Sequence, residues 1–146
     1  MNDEARLKTW NTYQAAWGPI DEDERRRLLE QSVAADCVYT DPGSQIEGRD
    51  ALMARIGQTQ LKFPGAHFRN DSFLEHHDQG LFRWTMYDGA GRVFVTGESF
   101  GRFGDDGRLV QASGFFDGEI SDLRSGRRSD CSCDAPSVHV LDCLLN

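Results

Sequence analysis

The segment from residue 66 to residue 117 alternates apolar and polar positions in four runs separated by turn residues. The predicted strands cover residues 66–77, 81–88, 92–103 and 108–117. Gly and Asp residues at the three junctions supply the positive φ and the local hydrogen bonds that tight turns need. Four consecutive strands joined in this way predict an antiparallel meander.

The N-terminal region shows two patterns with the three- and four-residue spacing of amphipathic helices. The first ends at Gly18-Pro19 and places four apolar side chains on one face: Leu7, Trp10, Tyr13 and Trp17. The second begins at an acidic turn, where Asp21 and Glu24 have the spacing of a capping pair. Its predicted inner face comprises Leu28, Leu29 and Val33, and its predicted solvent side comprises Arg25, Arg26 and Arg27.

A short strand and a third helix connect this region to the meander. Residues 37–40 are prone to form a strand that ends at Asp41, because Pro42 disfavours helix at the preceding residue and Gly43 permits a turn. A loop through Gly48 leads to a helix predicted over residues 50–60, with Asp50 as its N-cap. The predicted inward face of this helix comprises Leu52, Met53 and Ile56.

The length of 146 residues fits one domain, which we place at residues 1–120. Residues 121–146 change to Ser, Arg, Gly and Asp without periodicity, which predicts a disordered or loosely docked tail. Cys131, Cys133 and His139 in this tail do not have a recognised ligand spacing, so we expect no metal site. Cys37 lies alone in a predicted strand, and the four cysteines do not form a disulfide framework.

The charge of the chain narrows the classes of partner. A net charge of −8 argues against binding to nucleic acid or to an anionic membrane surface. No apolar run approaches the ~20 residues of a membrane span. The first four residues include Asp3 and Glu4, whereas a secretory signal begins with basic residues. These features predict a cytoplasmic protein.

The third meander strand carries apolar side chains on both faces. Val93, Val95 and Phe103 alternate with Phe94 and Phe100. A strand of this kind is covered on both sides, so one face is expected to meet the helices and the other a second subunit. The sequence therefore predicts a homodimer.

The order of these elements resembles the SnoaL-like branch of the nuclear transport factor 2-like superfamily. The resemblance covers roughly residues 5–118 and is carried by the element order together with seven short pieces of sequence: Tyr39-Thr-Asp-Pro-Gly43, Gly48-Arg-Asp-Ala-Leu52, Phe63-Pro-Gly65, His76-His77, Trp84, Asp106-Gly-Arg108 and Gly114-Phe-Phe116. It implies an α+β fold, a cone-shaped barrel in which a curved, mostly antiparallel sheet wraps around the N-terminal helices. It also implies a mostly apolar pocket for a small apolar molecule.

Ketosteroid isomerase, a member of this superfamily, suggests roles for several residues. Its general base is the aspartate of an Asp-Pro pair, which Asp41 matches, and its oxyanion donor on the first helix is a tyrosine, which Tyr13 matches. Where the isomerase carries a second acid, Ser99 is the residue expected to face inward, with Glu98 in its place if the register shifts by one. His76 is expected to face inward as a proton relay or ligand donor, since the adjacent His77 must face the opposite side.

Two functional hypotheses follow from this resemblance. In the first, the protein is a cofactor-free isomerase or cyclase in which Asp41, in apolar surroundings, takes a proton from a carbonyl compound. In the second, Asp41 only caps its turn and the protein is a noncatalytic ligand-binding or dimerisation module. In either case, the predicted ligand-contacting side chains are Trp17, Phe63, Phe82, Trp84, Val95 and Phe115.

Overall fold

The computed structural model of the chain describes residues 3–116, which form three helices and one six-stranded sheet. The helices are α1 (Asp3–Ala15), α2 (Glu22–Ser32) and α3 (Arg49–Lys62). The strands are β1 (Val33–Asp41), β2 (Ser44–Glu47), β3 (His67–His76), β4 (Gln79–Tyr87), β5 (Val93–Phe103) and β6 (Leu109–Phe116). The predicted tail over residues 121–146 lies outside the described residues.

The sheet confirms the predicted α+β fold. Its strand order is β2-β1-β6-β5-β4-β3, and every neighbouring pair is antiparallel except β1 and β6, which are parallel. Strands β3 to β6 form the predicted meander. The sheet is curved and, within the described residues, remains unclosed.

The core lies between the helices and the inner face of the sheet. Trp10 of α1 stacks flat on Phe82 of β4, with ring centroids 4.0 Å apart. Leu52 and Ile56 of α3 are fully buried in the same cluster, as predicted. Because aromatic pairs in such contact bury a large area, this packing fixes α1 across the sheet.

The structure corrects the boundaries around β1. Val33 begins β1 instead of ending α2, and residues 44–47, predicted as a loop, form the edge strand β2. This strand was missed because Ile46 is its only apolar residue. The N-cap of α3 is Gly48 and not Asp50; its φ of +93° favours glycine.

Arg25 differs from the prediction that it faces solvent. Its side chain is buried, and its guanidinium donates hydrogen bonds to the carbonyl oxygens of Ala16 (2.9 Å), Gly18 (3.0 Å) and Ile20 (3.1 Å). Carbonyl groups at a helix C-terminus lack hydrogen-bond donors within the helix, so Arg25 supplies the donors for the carbonyl groups that follow α1. This contact fixes the connection between α1 and α2, with Asp21 accepting from the backbone N–H of Glu24 as predicted.

Two smaller findings bear on the predictions for membranes and cysteines. None of the helices within residues 3–116 is long and apolar enough to cross a membrane. Cys37 is a free thiol buried in β1, and burial, together with the nearby charge of Asp36, raises its pKa to about 12. A thiol with this pKa is a poor nucleophile.

Candidate functional site

A cavity lies between the helices and the inner face of the sheet and encloses about 540 Å³, counting the solvent at its opening. Its apolar wall is mostly aromatic and consists of Trp10, Trp17, Phe68, Trp84 and Met86. Its polar lining consists of Tyr13, Gln14, Tyr39, Asp41, Arg55, Thr59 and Ser99, and Gly114 completes the boundary.

The centre of the polar lining is an ion pair between Asp41 and Arg55. A guanidinium Nη2 of Arg55 lies 2.9 Å from Asp41 Oδ2, and the two side chains are 12% and 1% exposed, respectively. The hydroxyl of Tyr39 donates to the same carboxylate oxygen at 2.7 Å. The site therefore concentrates both signs of charge at one point of an apolar cavity.

The local structure explains how these groups meet. Tyr39 and Asp41 are two residues apart in β1, so both side chains lie on the same face of the strand. The backbone N–H of Gly43 donates to Asp41 Oδ1 at 2.9 Å, which holds the carboxylate at the turn after β1. Arg55 comes from α3, where its Nη1 also donates to Thr59 one turn further on, at 3.2 Å.

A second polar group lies on strand β5. The indole N–H of Trp84 donates to the hydroxyl oxygen of Ser99 at 2.9 Å, and both side chains are buried. Ser99 faces the cavity, as predicted, whereas Glu98 faces outward and pairs with Arg83 at 2.8 Å. The alternative register, with Glu98 in the acidic role, is therefore excluded.

The phenols of Tyr13 and Tyr39 are held in their protonated form. Burial raises the pKa of Tyr13, while Trp17 beside it acts in the opposite direction. Burial also raises the pKa of Tyr39 well above its usual value, and the negative charge of Asp41 adds to this effect. Both side chains can therefore act as hydrogen-bond donors at any physiological pH.

His76 is not at the site, so the prediction that it faces inward is wrong. A two-residue turn pairs His76 with Gln79, whereas the inward residues of β4 are Phe82 and its even-numbered neighbours. His76 is exposed. His77 leaves the strand with a φ of +53°, which brings the two Nδ1 atoms to 3.2 Å from each other.

Four predicted ligand contacts lie away from the cavity. Phe82 lies in the core, where its ring stacks on Trp10 and Phe73, and Val95 packs in a separate cluster with Met86. Phe63 follows α3 and packs edge-to-face against Phe94 at 4.6 Å. Phe115 is on the outer face of the sheet and is 56% exposed. The structure brings Tyr13, Trp17, Asp41, Trp84 and Ser99 together at the cavity.

Arg55 and Tyr39 are the principal residues that the sequence reasoning missed. Arg55 lies three residues after Leu52 and four before Thr59, on the helix face that the apolar pattern already placed inward. Tyr39 lies two residues before Asp41, which puts it on the same strand face. The spacing of residues along the sequence therefore indicated the orientation of both side chains.

The described residues offer no obvious metal centre. No group of three or more His, Cys, Asp or Glu side chains within residues 3–116 could hold a metal ion. Asp41 is the one carboxylate in the cavity lining, and Arg55 already neutralises its charge.

Comparison with known families supports the resemblance. The family model of the SnoaL-like domain matches residues 13–112, which is more than half of the chain. No curated protein matches the chain.

Solved structures agree with the family model. A protein from Agrobacterium tumefaciens, provisionally assigned as an isomerase of the SnoaL-like family, shares 31% identity at a TM-score of 0.73, covering 79% of this chain and 99% of that one. A protein from Sinorhizobium meliloti that is provisionally assigned as a polyketide cyclase shares 19% identity at a TM-score of 0.60. The match covers 73% of this chain and 93% of that one. A protein of unknown function from Exiguobacterium, similar to nuclear transport factor 2, shares 19% identity at 0.63, covering 75% and 98%. The two more distant structures support the fold alone.

The buried tyrosines predict how stability depends on pH. An unfolded tyrosine releases its proton near pH 10, whereas Tyr13 and Tyr39 keep theirs in the folded protein. The free energy of unfolding should therefore fall as pH rises above 10, by roughly 1 kcal/mol per tyrosine by pH 11. Urea unfolding at pH 9 and pH 11 measures the fall, which should be smaller in Tyr13→Phe. An equal fall in both proteins would contradict the assignment.

Proposed function

Because the chain belongs to the SnoaL-like family, we propose that it is a cofactor-free isomerase or cyclase acting on a small, neutral carbonyl compound. The observation that carries this proposal is the presence of a buried carboxylate, a guanidinium and two protonated phenols in the lining of one aromatic cavity. The name of the isomerase-like relative, at 31% identity, points in the same direction. The substrate class follows from the lining of the cavity.

The cavity favours an uncharged ligand. Its charged side chains, Asp41 and Arg55, already neutralise each other. A charged ligand would lose its hydration without gaining an unpaired partner, which is costly in apolar surroundings. The aromatic wall instead suits a small apolar body, and the hydroxyls of Tyr13 and Ser99 suit a carbonyl oxygen.

In the proposed reaction, Asp41 removes a proton from the carbon next to the carbonyl group. The C–H electrons move into the C–C bond, and the carbonyl oxygen gains negative charge as an enolate. The hydroxyls of Ser99 and Tyr13 donate hydrogen bonds to that oxygen. In an isomerase, Asp41 then returns the proton to a different carbon. In a cyclase, the enolate carbon attacks a second carbonyl of the same molecule, the electron pair of that C=O bond moves to its oxygen, and this alkoxide takes the proton back from Asp41.

Arg55 has a role before and after this transfer. It balances the charge of Asp41 at a distance of 2.9 Å. When the proton reaches Asp41, the negative charge moves to the enolate, and the guanidinium remains as the nearby cation. Fixed positive charge close to a developing anion lowers the barrier without reorganisation.

A noncatalytic ligand-binding module is the second candidate, and a specific observation favours it. The Asp41 side chain is only 1% exposed, and its Oδ1 accepts from the Gly43 N–H as in a capped turn. A carboxylate held in this way can serve the turn alone. Under this alternative, the cavity takes up a ligand and no proton is transferred.

Proton exchange separates the two candidates. Acetophenone, a small neutral ketone, carries exchangeable hydrogens next to its carbonyl group, and NMR in D₂O follows their replacement by deuterium. We expect the wild-type protein to accelerate the exchange. The double variant Asp41→Asn/Arg55→Gln should lose at least ~100-fold of this acceleration, in line with the usual contribution of a general base.

The double variant is chosen because the single change is poorly controlled. Asp41→Asn alone leaves the Arg55 guanidinium buried without its charge partner, which costs about 3–5 kcal/mol of stability. The double variant removes both charges while retaining the size of both side chains. Two results would contradict catalysis and favour the binding module. One is that the wild-type protein does not accelerate the exchange, and the other is that the double variant accelerates it equally.

A homodimer through the outer face of the sheet is part of the proposal. Leu74, Leu81 and Phe100 lie side by side across β3, β4 and β5 in the strand register, and Leu74 is largely exposed. Phe115 of β6 lies opposite Glu98 on the same face. We call these four apolar residues the outer patch. Contiguous apolar surface of this kind is typical of a protein interface.

Light scattering at micromolar concentration tests the dimer. The wild-type protein should have twice the 16.4 kDa mass of the chain, and Leu74→Glu/Phe115→Glu should have the mass of one chain, because buried charges oppose association. Leu61→Glu is the matched control, since Leu61 is exposed on α3 and lies outside the outer patch. A monomeric wild-type protein would contradict the proposal.

A further inference from the structure

Gly114 lies between the two polar groups of the cavity. It is in β6, which is hydrogen-bonded to β1 on one side and to β5 on the other. A Cβ atom at Gly114 would lie 3.7 Å from Ser99 Oγ and 3.8 Å from Asp41 Cβ. The space above this residue is therefore bounded by the proposed base on one side and the proposed donor on the other.

Packing does not account for glycine at this position. At Gly97 of β5, a Cβ atom would lie 2.5 Å from the carbonyl oxygen of Phe115, so a side chain there is excluded. At Gly114 the nearest neighbours are 3.7–3.9 Å away, which is ordinary van der Waals contact. Gly114 is also absent from the residues with positive φ. An alanine would fit the folded chain, and the effect of glycine is to leave the cavity open.

The Ser99 hydroxyl is prepared to donate into this space. Its oxygen accepts a hydrogen bond from the Trp84 indole N–H at 2.9 Å. The hydrogen bonds of the described residues include none in which the Ser99 hydroxyl is the donor, and its side chain lines the cavity. A hydroxyl that accepts one hydrogen bond becomes a better donor for the next, so Trp84 strengthens the bond that Ser99 can offer.

We propose that Gly114 is a specificity-determining residue, whose missing side chain leaves a carbonyl subsite open between Ser99 and Asp41. This inference rests on the proposed function for its ligand class. Because Gly114 has no side chain in this space, a carbonyl group can reach both Ser99 and Asp41. Gly114 therefore decides whether such a group binds there. Trp84 acts through Ser99 as a positioning residue as well as an aromatic wall.

Titration calorimetry with acetophenone and benzene tests the subsite. In Gly114→Ala, the added methyl group should weaken acetophenone binding at least about tenfold, because it occupies the place of the carbonyl group. Benzene needs only the aromatic wall, so its affinity should change less than about twofold. The melting temperature should be unchanged or higher, since alanine loses less backbone entropy on folding than glycine.

Gly57→Ala is the matched control. It makes the same chemical change in α3, where a Cβ atom meets nothing within 4 Å, and Gly57 does not line the cavity. Both ligands should bind this variant as they bind the wild-type protein.

Three results would overturn the subsite: no acetophenone binding to the wild-type protein, unchanged acetophenone affinity in Gly114→Ala, or an equal loss for benzene. These outcomes are separate from those of the proton-exchange experiment. Selective weakening in Gly114→Ala without any accelerated exchange would support the subsite and contradict catalysis.

Discussion

The burial of the Asp41–Arg55 ion pair is the constraint on which the rest of the site depends. Removing each charge from water costs several kcal/mol, and the attraction between them offsets this only when geometry and hydrogen bonding are good. Tyr39, Thr59 and the backbone of Gly43 supply those hydrogen bonds. A buried ion pair is therefore weak evidence for stability, and the proposed function accounts for its position in an aromatic cavity.

The sheet topology places a second polar group, Ser99, on the other side of Gly114 from this ion pair. The parallel pairing of β1 with β6 places Asp41 next to Gly114, and the antiparallel pairing of β6 with β5 places Ser99 on the other side. Because neighbouring strands lie about 4.8 Å apart, Asp41 and Ser99 are separated by two strand spacings, about 10 Å, which a small ligand can span. The helices close the site: α1 carries Tyr13, and α3 carries Arg55.

The sequence predicted the meander, the strand end at Asp41 and the inward face of Ser99, because each depends on strong local signals. Glycine- and aspartate-rich turns set the strands, Pro42 ended β1, and alternation along β5 set the faces. It also identified Tyr13, Trp17 and Trp84 among the cavity residues, since aromatic residues at helical or strand spacing are readily recognised.

What the sequence could not supply were contacts between distant elements. The spacing along α3 places Arg55 inward but does not identify its partner, because Asp41 belongs to β1. Arg25 was placed in solvent because the carbonyl groups it satisfies belong to a neighbouring turn. His76 was misplaced because its orientation depends on the pairing across the hairpin with Gln79. The aromatic residues Phe63 and Phe115 were assigned to the ligand by residue type alone, and tertiary packing placed them elsewhere.

The most direct test of the central claim is the stability of an apolar replacement of the ion pair. In Tyr39→Phe/Asp41→Leu/Arg55→Met, the buried charges and the hydroxyl that depends on them are exchanged for side chains of similar volume. If the pair serves chemistry, the free energy of unfolding by urea should remain within about 1 kcal/mol of the wild-type value or exceed it. A loss of more than about 3 kcal/mol would show that the pair is kept for stability and would contradict the account.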